Sequence, residues 1–319
     1  MEPAGGRRYD VLTLGEPLYE LAEATVDGRH VYLPGFGGDV SNVAVAAARQ
    51  GARAAIYTRL GDDAFGRRFL ELWRAEGVDA GAVQVDADAH TGVYTISYGP
   101  SGHEFGYLRR GSAASRMRPE DVPLEAVASA RVLHVSAISQ AISASACDAV
   151  FHALEAARSQ GVAVSYDTNL RLGLWPLARA RAVTLATVGL ADYCLPSLED
   201  AAALTGRDDP EGIVDALLAL GARVVVLKLG SEGALVGSGA ERWRVPGHPV
   251  ALVDATGAGD CFDGAFLARI ARGDTPAEAA RYANAAAALA VTGRGAVAPI
   301  PTADAVRAFL AGEGEPAQT

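Results

Sequence analysis

The stretch Asp254-Ala-Thr-Gly-Ala-Gly-Asp-Cys-Phe-Asp-Gly-Ala265 decides the fold, and the apolar residues Phe266-Leu-Ala268 follow it. Small residues precede Asp260 and apolar residues recur with helical spacing after it, which predicts a loop that leads into a helix N-terminus. The first amides of such a helix lack intrahelical partners and can hold an anion. A carboxylate beside a bound phosphate can accept a proton from an incoming hydroxyl. The stretch therefore predicts phosphoryl transfer, although a capped tight turn explains it equally well by itself.

The composition favours one large α/β domain that acts on small molecules. The chain has 319 residues, half of them hydrophobic, which is enough for a sizeable core and a small appendage. A formal net charge of −10 argues against a nucleic-acid partner and against an anionic membrane surface. The sequence also contains no apolar run long enough to span a bilayer. An anionic ligand must therefore be bound by a local basic cluster.

The three cysteines indicate a reducing compartment. Cys147, Cys194 and Cys261 are isolated and lack CxxC spacing, so neither a disulfide framework nor a zinc site is predicted. A cytoplasmic location follows as the expectation. Cys261, beside Asp260, is interpreted as a small core residue. Residues 1–8 and 313–319 are predicted to be flexible tails.

Strands and helices alternate along most of the chain, which is typical of a mostly parallel sheet. A strand at 10–15, a helix at 43–50, a strand at 54–60 and a helix at 65–75 begin the pattern. The remaining predicted strands are 131–138, 162–167, 193–196 and 223–230, with an edge hairpin at 233–245, and the remaining helices are 145–160, 177–189, 276–292 and 303–311, besides those that begin at 197 and 260.

Two segments break this alternation and predict an appended sheet. Residues 91–98 and 103–109 read as antiparallel strands joined by a turn at 99–102, with no crossover helix between them. Together with part of 17–36 they would form a small second layer over the site. Such a lid would exclude water from a phosphoryl donor.

Polar residues follow the first strand and precede the first helix. Glu16 lies at the carboxyl end of a strand, where open α/β sheets bind ligands, although a solvated turn acid is as good an interpretation. Gly37 and Gly38 would let backbone approach a ligand, while Asp39 and Asn42 offer polar groups to sugar hydroxyls. In the alternative interpretation, Asp39 or the nearby Ser41 only caps the helix.

A second polar group follows the strand at 162–167. Asp167, Asn169 and Arg171 come directly after an apolar run. Packing explains such a cluster poorly, so we expect these side chains to face the site, with a capped loop as the alternative.

The stretch 254–260 resembles the C-terminal signature of the ribokinase-like (PfkB) carbohydrate kinases, and the resemblance extends over about residues 9–310. It implies a three-layer α/β/α fold in one kinase domain, 9–312, with lid strands inserted at about 17–36 and 91–110. It also implies that Asp260 is the catalytic base and that the amides of Gly257, Ala258 and Gly259 form an anion hole.

Within that family, the details resemble the 2-keto-3-deoxygluconate kinases. The points of similarity are Gly15-Glu-Pro17, Phe36-Gly-Gly-Asp39 with Asn42, Thr91-Gly-Val-Tyr94, Tyr107–Ala113, and Asp167-Thr-Asn-Leu-Arg171 with Trp175. The resemblance implies that Gly38 and Asn42 touch the sugar, that Tyr94 and Tyr107 line its pocket, and that Arg109 and Arg171 hold its carboxylate and keto end. Guanidinium groups suit a carboxylate, although an arginine on a lid strand is more often solvated.

The same resemblance implies ATP and Mg²⁺ as cofactors, with Mg²⁺ carried by the nucleotide and K⁺ near Asp254 as an option. The implied nucleotide-binding residues are Ser197, Lys228, Gly230, Ser231, Gly233, Gly257, Gly259 and Asn284. Two positions depart from the family pattern. Ser197-Leu-Glu-Asp200 replaces the usual Asn-x-x-Glu, and Leu108 replaces a common aromatic residue.

The expected activity is ATP-dependent phosphorylation of 2-keto-3-deoxygluconate to its 6-phosphate. Fructokinase, ribokinase and 5-keto-2-deoxygluconate kinase remain alternatives, as does a non-catalytic sugar-acid sensor on the same fold. A dinucleotide-binding dehydrogenase is disfavoured because no Gly-x-Gly-x-x-Gly follows the first strand. A homo-oligomer that pairs through the lid is expected from exposed lid strands.

Overall fold

The computed structural model describes residues 6–99 and 102–312. The strands are β1 Tyr9–Leu14, β2 Leu18–Val26, β3 Arg29–Gly37, β4 Ala54–Tyr57, β5 Arg59–Gly61, β6 Gln84–Asp86, β7 Val93–Gly99, β8 Gly102–Leu108, β9 Ala130–Ser136, β10 Ala163–Asp167, β11 Tyr193–Cys194, β12 Val224–Lys228, β13 Ala234–Ser238 and β14 Glu241–Val245. The helices are α1 Asp39–Arg49, α2 Ala64–Ala75, α3 Leu124–Ala128, α4 Ala137–Ala141, α5 Ala144–Ser159, α6 Leu177–Val188, α7 Leu198–Thr205, α8 Pro210–Ala219, α9 Ala258–Ala271, α10 Pro276–Ala290 and α11 Ala303–Gly312.

The central sheet has eight strands in the order β14-β13-β12-β11-β10-β9-β1-β4. The strands from β12 to β4 are parallel, and β13 and β14 extend the edge as an antiparallel hairpin. Parallel strands are joined by helices, so both faces of the sheet are covered. The carboxyl ends of β1, β9, β10, β11 and β12 therefore meet at one edge, where the predicted polar residues follow their strands.

Two apolar cores, one on each face, make the three layers that the sequence resemblance implies. One core packs α5, α6, α7 and α8 against side chains such as Leu133 and Tyr166. The other packs α1, α2, α9 and α10 against Val132 and Val226 on the opposite face. Successive strand residues point to opposite faces, so each strand contributes to both cores.

The lid is a separate four-stranded sheet in the order β3-β2-β7-β8. Two antiparallel hairpins, β2/β3 and β7/β8, join through a parallel contact between β2 and β7. The predicted strand pair at 91–109 is confirmed, while the middle of its turn at 100–101 lies outside the described residues, as do 1–5 and 313–319 of the predicted tails.

The structure corrects three predicted elements and adds three that were not predicted. Helix α1 begins at Asp39 rather than at 43, with Gly38 as its N-cap. The predicted strand 54–60 is broken after Tyr57, because β5 leaves the central sheet to pair with β6. Helices α3 and α8 and strand β6 were absent from the sequence prediction. Finally, the end of the strand predicted at 131–138 is the beginning of α4.

Candidate active site

Asp260 lies in the first turn of α9, one of the most buried helices of the core. Gly257 is the N-cap, with a φ of 72° that suits glycine, and no side chain caps the helix. Asn42 of α1 donates a hydrogen bond from Nδ2 to Asp260 Oδ2 at 2.7 Å. The two helices approach closely at Gly264, where an added Cβ would lie 2.5 Å from Val43 O. The small residue at 264 therefore helps to bring Asn42 to the carboxylate.

The surroundings of Asp260 make its carboxyl group a weak acid. Burial and the nearby Asp39 carboxylate raise the pKa of Asp260 to about 7, against the hydrogen bond from Asn42. A carboxyl group with that pKa is suited to accept a proton near neutral pH.

The turn before α9 is ordered by its own hydrogen bonds. Asp254 Oδ1 accepts from the amide of Thr256 at 2.9 Å and from its hydroxyl at 2.7 Å, and Asp254 Oδ2 accepts from the Gly295 amide. The Ala258 amide donates to Ala255 O at 3.2 Å. Of the three amides predicted to form the anion hole, that of Ala258 is therefore already used in a hydrogen bond within the turn.

The structure brings Asp167 and Asn169, which follow β10, to the start of α1. Asn169 donates from Nδ2 to Asp39 Oδ2 at 3.1 Å, and its own amide donates to Asp167 Oδ1 at 3.2 Å. Burial raises the pKa of Asp39. The capping alternative for this helix was wrong, because Asp39 is its first residue and Ser41 accepts a hydrogen bond from Trp73 Nε1.

Two lid tyrosines cover this cluster. Tyr94 is buried, and its hydroxyl donates a short hydrogen bond to Glu20. The Tyr94 ring packs directly on Gly37, where an added Cβ would lie 2.8 Å from the Tyr94 hydroxyl. Tyr107 stacks on Tyr94 with ring centroids 6.3 Å apart, and half of Tyr107 remains exposed. Gly37 is thus needed for the approach of the tyrosine.

The two predicted arginines have separate partners in the structure. Arg109 lies over the Tyr107 ring and forms an ion pair with buried Glu16, which also accepts from Ser112 Oγ at 2.8 Å. Burial raises the pKa of Glu16, although Arg109 and Ser112 oppose that shift. Arg171 donates to Leu170 O at 2.9 Å and is otherwise exposed.

The predicted nucleotide-binding residues form the loop after β12 and its neighbours. Gly230 and Gly233 have φ values of 60° and 94°, and Gly230 and Ser231 are exposed at the rim. Asn284 uses its Nδ2 to hold Val245 O and Pro246 O at 3.3 and 3.0 Å.

Two more predicted residues of this group, Ser197 and Lys228, have partners within the protein. Ser197 is the N-cap of α7 and accepts from the Asp200 amide. Asp200 in turn accepts from the Leu170 amide at 3.1 Å, which connects α7 to the loop after β10. Lys228 directs its ammonium inward, towards Asp263, rather than to the rim.

A family model described as "pfkB family carbohydrate kinase" matches residues 14–303. The chain belongs to the PfkB family of carbohydrate kinases. It is 37% identical over 310 residues to a 2-dehydro-3-deoxygluconokinase of Thermoproteus tenax, with 94% of each chain covered. It is 35% identical over 312 residues to fructokinase-1 of Oryza sativa subsp. japonica, with 93% of this chain and 96% of the relative covered.

Solved structures of PfkB kinases share the fold. A fructokinase from Vibrio cholerae O395, in its fructose-, ADP- and calcium-bound form, aligns with a TM-score of 0.85 at 32% identity, over 94% of this chain and 98% of the other. The chain is therefore a carbohydrate kinase with a ribokinase-like fold, and the sensor alternative is set aside.

Some residues of the site in this PfkB kinase escaped the sequence analysis. They are Glu20, Ser112, Asp263 and Gly264. Glu20 is the register partner of Tyr94 on the neighbouring strand, which could have been inferred only after the pairing of β2 with β7 was known. Asp263 stands three residues after Asp260, a spacing that places both on neighbouring positions of a helix.

Neither a candidate metal cluster nor a candidate membrane-spanning helix is found among the described residues. Within residues 6–99 and 102–312, no group of three or more His, Cys, Asp or Glu side chains could hold a metal ion. In the same part of the chain, no helix has both the length and the apolar character required to cross a membrane.

Proposed function

We propose that this kinase transfers the γ-phosphoryl group of ATP to the primary hydroxyl of 2-keto-3-deoxygluconate, giving the 6-phosphate, with Asp260 as general base. The observation that carries the proposal is the Asp260 carboxylate in the first turn of α9, held by Asn42 at 2.7 Å. The N-terminus of a helix favours the phosphoryl group, and the carboxylate beside it accepts the hydroxyl proton as the oxygen attacks phosphorus in line.

The sugar would bind between the start of α1 and the lid. Asn42 Oδ1 is buried and has no hydrogen-bond partner within the described residues, so it is available to a sugar hydroxyl. Gly38 and Asp39 lie beside it, Asn169 connects them to Asp167, and Tyr94 closes the pocket from the lid side.

The nucleotide would bind along the loop after β12. Gly230 and Ser231 offer exposed backbone at the rim, and Gly233 closes the loop by donating its amide to Gly230 O and accepting from the Leu229 amide. Ser197 and Asn284 fix the neighbouring segments. The amides of Gly257 and Gly259 would stabilise charge on the transferring oxygens, a type of donor whose removal costs about 3 kcal/mol.

Metal ions would enter with the nucleotide. Mg²⁺ would bind mainly to the phosphates and to waters, where it would neutralise phosphate charge. Asp254 accepts hydrogen bonds that order the loop before α9. A K⁺ ion near Asp254 stays a prediction, which activity in potassium chloride against sodium chloride tests.

The sugar acid is favoured by the two arginines and by the T. tenax relative. A guanidinium binds a carboxylate with two parallel hydrogen bonds, and a neutral sugar needs no such partner. Arg109 already pairs with Glu16, so we expect the substrate carboxylate to compete for a cation whose position is fixed. A fructokinase is the second candidate, because the rice relative is similar over the same length.

The test is ADP release with Mg-ATP and a panel of 2-keto-3-deoxygluconate, 5-keto-2-deoxygluconate, fructose, ribose and gluconate. Turnover confined to 2-keto-3-deoxygluconate and abolished by Asp260→Asn supports the proposal. Arg109→Met should lower kcat/KM for that acid about 100-fold, whereas the adjacent exposed Arg110→Met serves as the matched control. Fast turnover of fructose that is insensitive to Arg109→Met would establish the second candidate instead.

A further inference from the structure

Lys228 stands out because it is the only lysine among the 28 Lys and Arg residues of the chain. It ends β12, and its side chain is only 13% exposed. A buried ammonium is costly unless carboxylates surround it, so its surroundings call for an explanation.

The ammonium of Lys228 connects three elements of the core. Its Nζ lies 3.0 and 3.1 Å from the two carboxylate oxygens of Asp263 on α9 and 3.5 Å from Asp167 Oδ1 at the end of β10. The side chain of Asp263 is fully buried. Burial acts against the charged ammonium, but Asp167 and Asp263 outweigh it and raise the pKa of Lys228.

The same ammonium lies next to the turn that carries the proposed base. A Cβ added to Gly259 would lie 3.5 Å from Lys228 Nζ, with Gly259 directly before Asp260. Asp263 follows Asp260 by three residues on the same helix. Lysine presents a compact charge, whereas the planar guanidinium of arginine is larger and prefers paired, in-plane contacts. The narrow space between two carboxylates and Gly259 therefore suits lysine.

We propose that Lys228 is a positioning residue, which ties the first turns of α9 to the ends of β10 and β12 and thereby sets both the place and the charge state of Asp260. The inference rests on the proposed role of Asp260 as general base. Lys228 acts through Asp263 and Asp167.

The charges around Asp260 predict in which direction each substitution shifts its pKa. The titratable groups that interact with it are Asp39 on α1, Tyr94 on β7, Asp167 on β10, Lys228 on β12, and Cys261 and Asp263 on α9. Lys228 lowers the pKa of Asp260, while Asp39 and Asp167 raise it. Removal of the cation should therefore raise the pKa of Asp260, and removal of the Asp263 charge should lower it.

The first experiment compares pH profiles of kcat for Lys228→Met, Asp263→Asn and the double variant. We expect Lys228→Met to lower kcat about 100-fold and to move the acid limb about one pH unit upward. Asp263→Asn should move the limb downward, and the double variant should return it towards the wild-type position. Arg223→Met, just before the same strand and paired at the surface with Asp192, is the matched control and should leave the profile unchanged.

The second experiment uses the single lysine as a spectroscopic probe. Protein grown with ¹³Cε-labelled lysine should give one lysine signal, which stays in the protonated position up to high pH. Asp263→Asn should lower the pKa read from that signal. Because the measurement needs no substrate, it tests the ion cluster even if the panel of sugars shows no turnover, and it separates failure of this inference from failure of the proposed function.

Two results would overturn the inference. The first is that the acid limbs of the kcat profiles of Lys228→Met and Asp263→Asn both stay in place or move in the same direction. In that case the two substitutions would lower only thermal stability. The other is a lysine signal with an ordinary pKa that Asp263→Asn does not change. Lys228→Arg gives a further check, since retained charge with lost kcat would show that the shape of the cation matters.

Discussion

At the residue scale, Asp260 should impose a pH dependence on the rate. Its pKa of about 7 lies well above that of a solvated aspartate, because it is buried near Asp39. The proposed base can accept a proton only when it is ionised, so kcat should rise with pH through about 7 and then level off. The pH profile of kcat, measured from pH 5 to 9 with saturating sugar and Mg-ATP, checks this. A kcat that stays constant over this range, as expected for a base with a pKa near 4, would contradict it.

The same carboxyl group should reduce the stability of the folded protein at neutral pH. Between about pH 4 and 7 the folded state holds a proton that the unfolded chain has already released, so stability falls as pH rises through that window. Asp260→Asn removes this loss. It should stabilise the fold by about 2 kcal/mol at pH 8 and by little at pH 5.

Denaturant unfolding at both pH values measures the difference. Asp208→Asn, at an exposed position, is the matched control for the removal of one aspartate charge. An Asp260→Asn protein that is less stable than the wild type at pH 8 would argue for a structural role of the carboxylate.

Asp260 and Asn42 could be predicted as site candidates from the sequence, whereas Asp263 could not. The signature around Asp260 is long and ordered, so it could be interpreted without a structure. Asp263 became a partner of Lys228 only because α9 packs against the end of β12, a contact between residues 35 positions apart. Local spacing carries no signal for such a pair.

At the element scale, the start of α9 depends on a glycine with a positive φ. In Gly257→Ala the new Cβ would lie 3.0 Å from the backbone of Ala296 and the φ of 72° would be strained. We expect stability to fall by about 1 to 2 kcal/mol and kcat to fall about 100-fold, because the anion-binding amides move.

Gly161→Ala separates strain from function. Gly161 has a φ of 64° and no atom within 4 Å of the added Cβ, and it connects α5 to β10 outside the candidate site. Its substitution should cost a similar strain energy and leave kcat unchanged. Equal losses of kcat in both variants would show that Gly257 acts through stability alone.

The elements that sequence reasoning missed have weak or conflicting local signals. Helix α8 begins with Asp209 as N-cap and Pro210 at its first position, which both favour a helix start, but Gly212 in the same turn resembles a loop. The break after Tyr57 has no turn residue, since it arises from the pairing of β5 with β6. Strong apolar strands such as β12 were predicted within one or two residues.

At the scale of the whole molecule, the three layers could be predicted from the sequence, but the contact between the lid and the start of α1 could not. Alternating strands and helices predict the central sheet, and the period-two patterns at 91–98 and 103–109 predict the lid hairpin. The contact of Tyr94 with Gly37 depends on how β7 joins β2, which is set by packing of the lid on the domain. The candidate site contains residues of both the lid and the α/β domain, and this arrangement depends on tertiary packing that the local sequence does not reveal.

The lid also leads to a prediction about assembly. On the lid face that carries Tyr94, cross-strand pairs bring Ala22 beside Leu33 and Ile96 beside Phe105. Leu33, Phe105 and Tyr107 remain 49%, 43% and 50% exposed, which is unusual for a contiguous apolar sheet face in water. We predict that two chains cover this face in a dimer, measurable by light scattering after size exclusion at micromolar concentration.

Leu33→Glu should convert that dimer to single chains, because a charge would be buried in the interface. Val85→Glu, at a 57% exposed position on β6 outside the lid sheet, is the matched control and should stay dimeric. Since Tyr107 stacks on Tyr94 from the same face, loss of the partner should also loosen the sugar pocket and raise KM for the sugar more than for ATP. A light-scattering mass of one chain for the wild-type protein would contradict the dimer. The lid would then be held over the site only by contacts within its own chain.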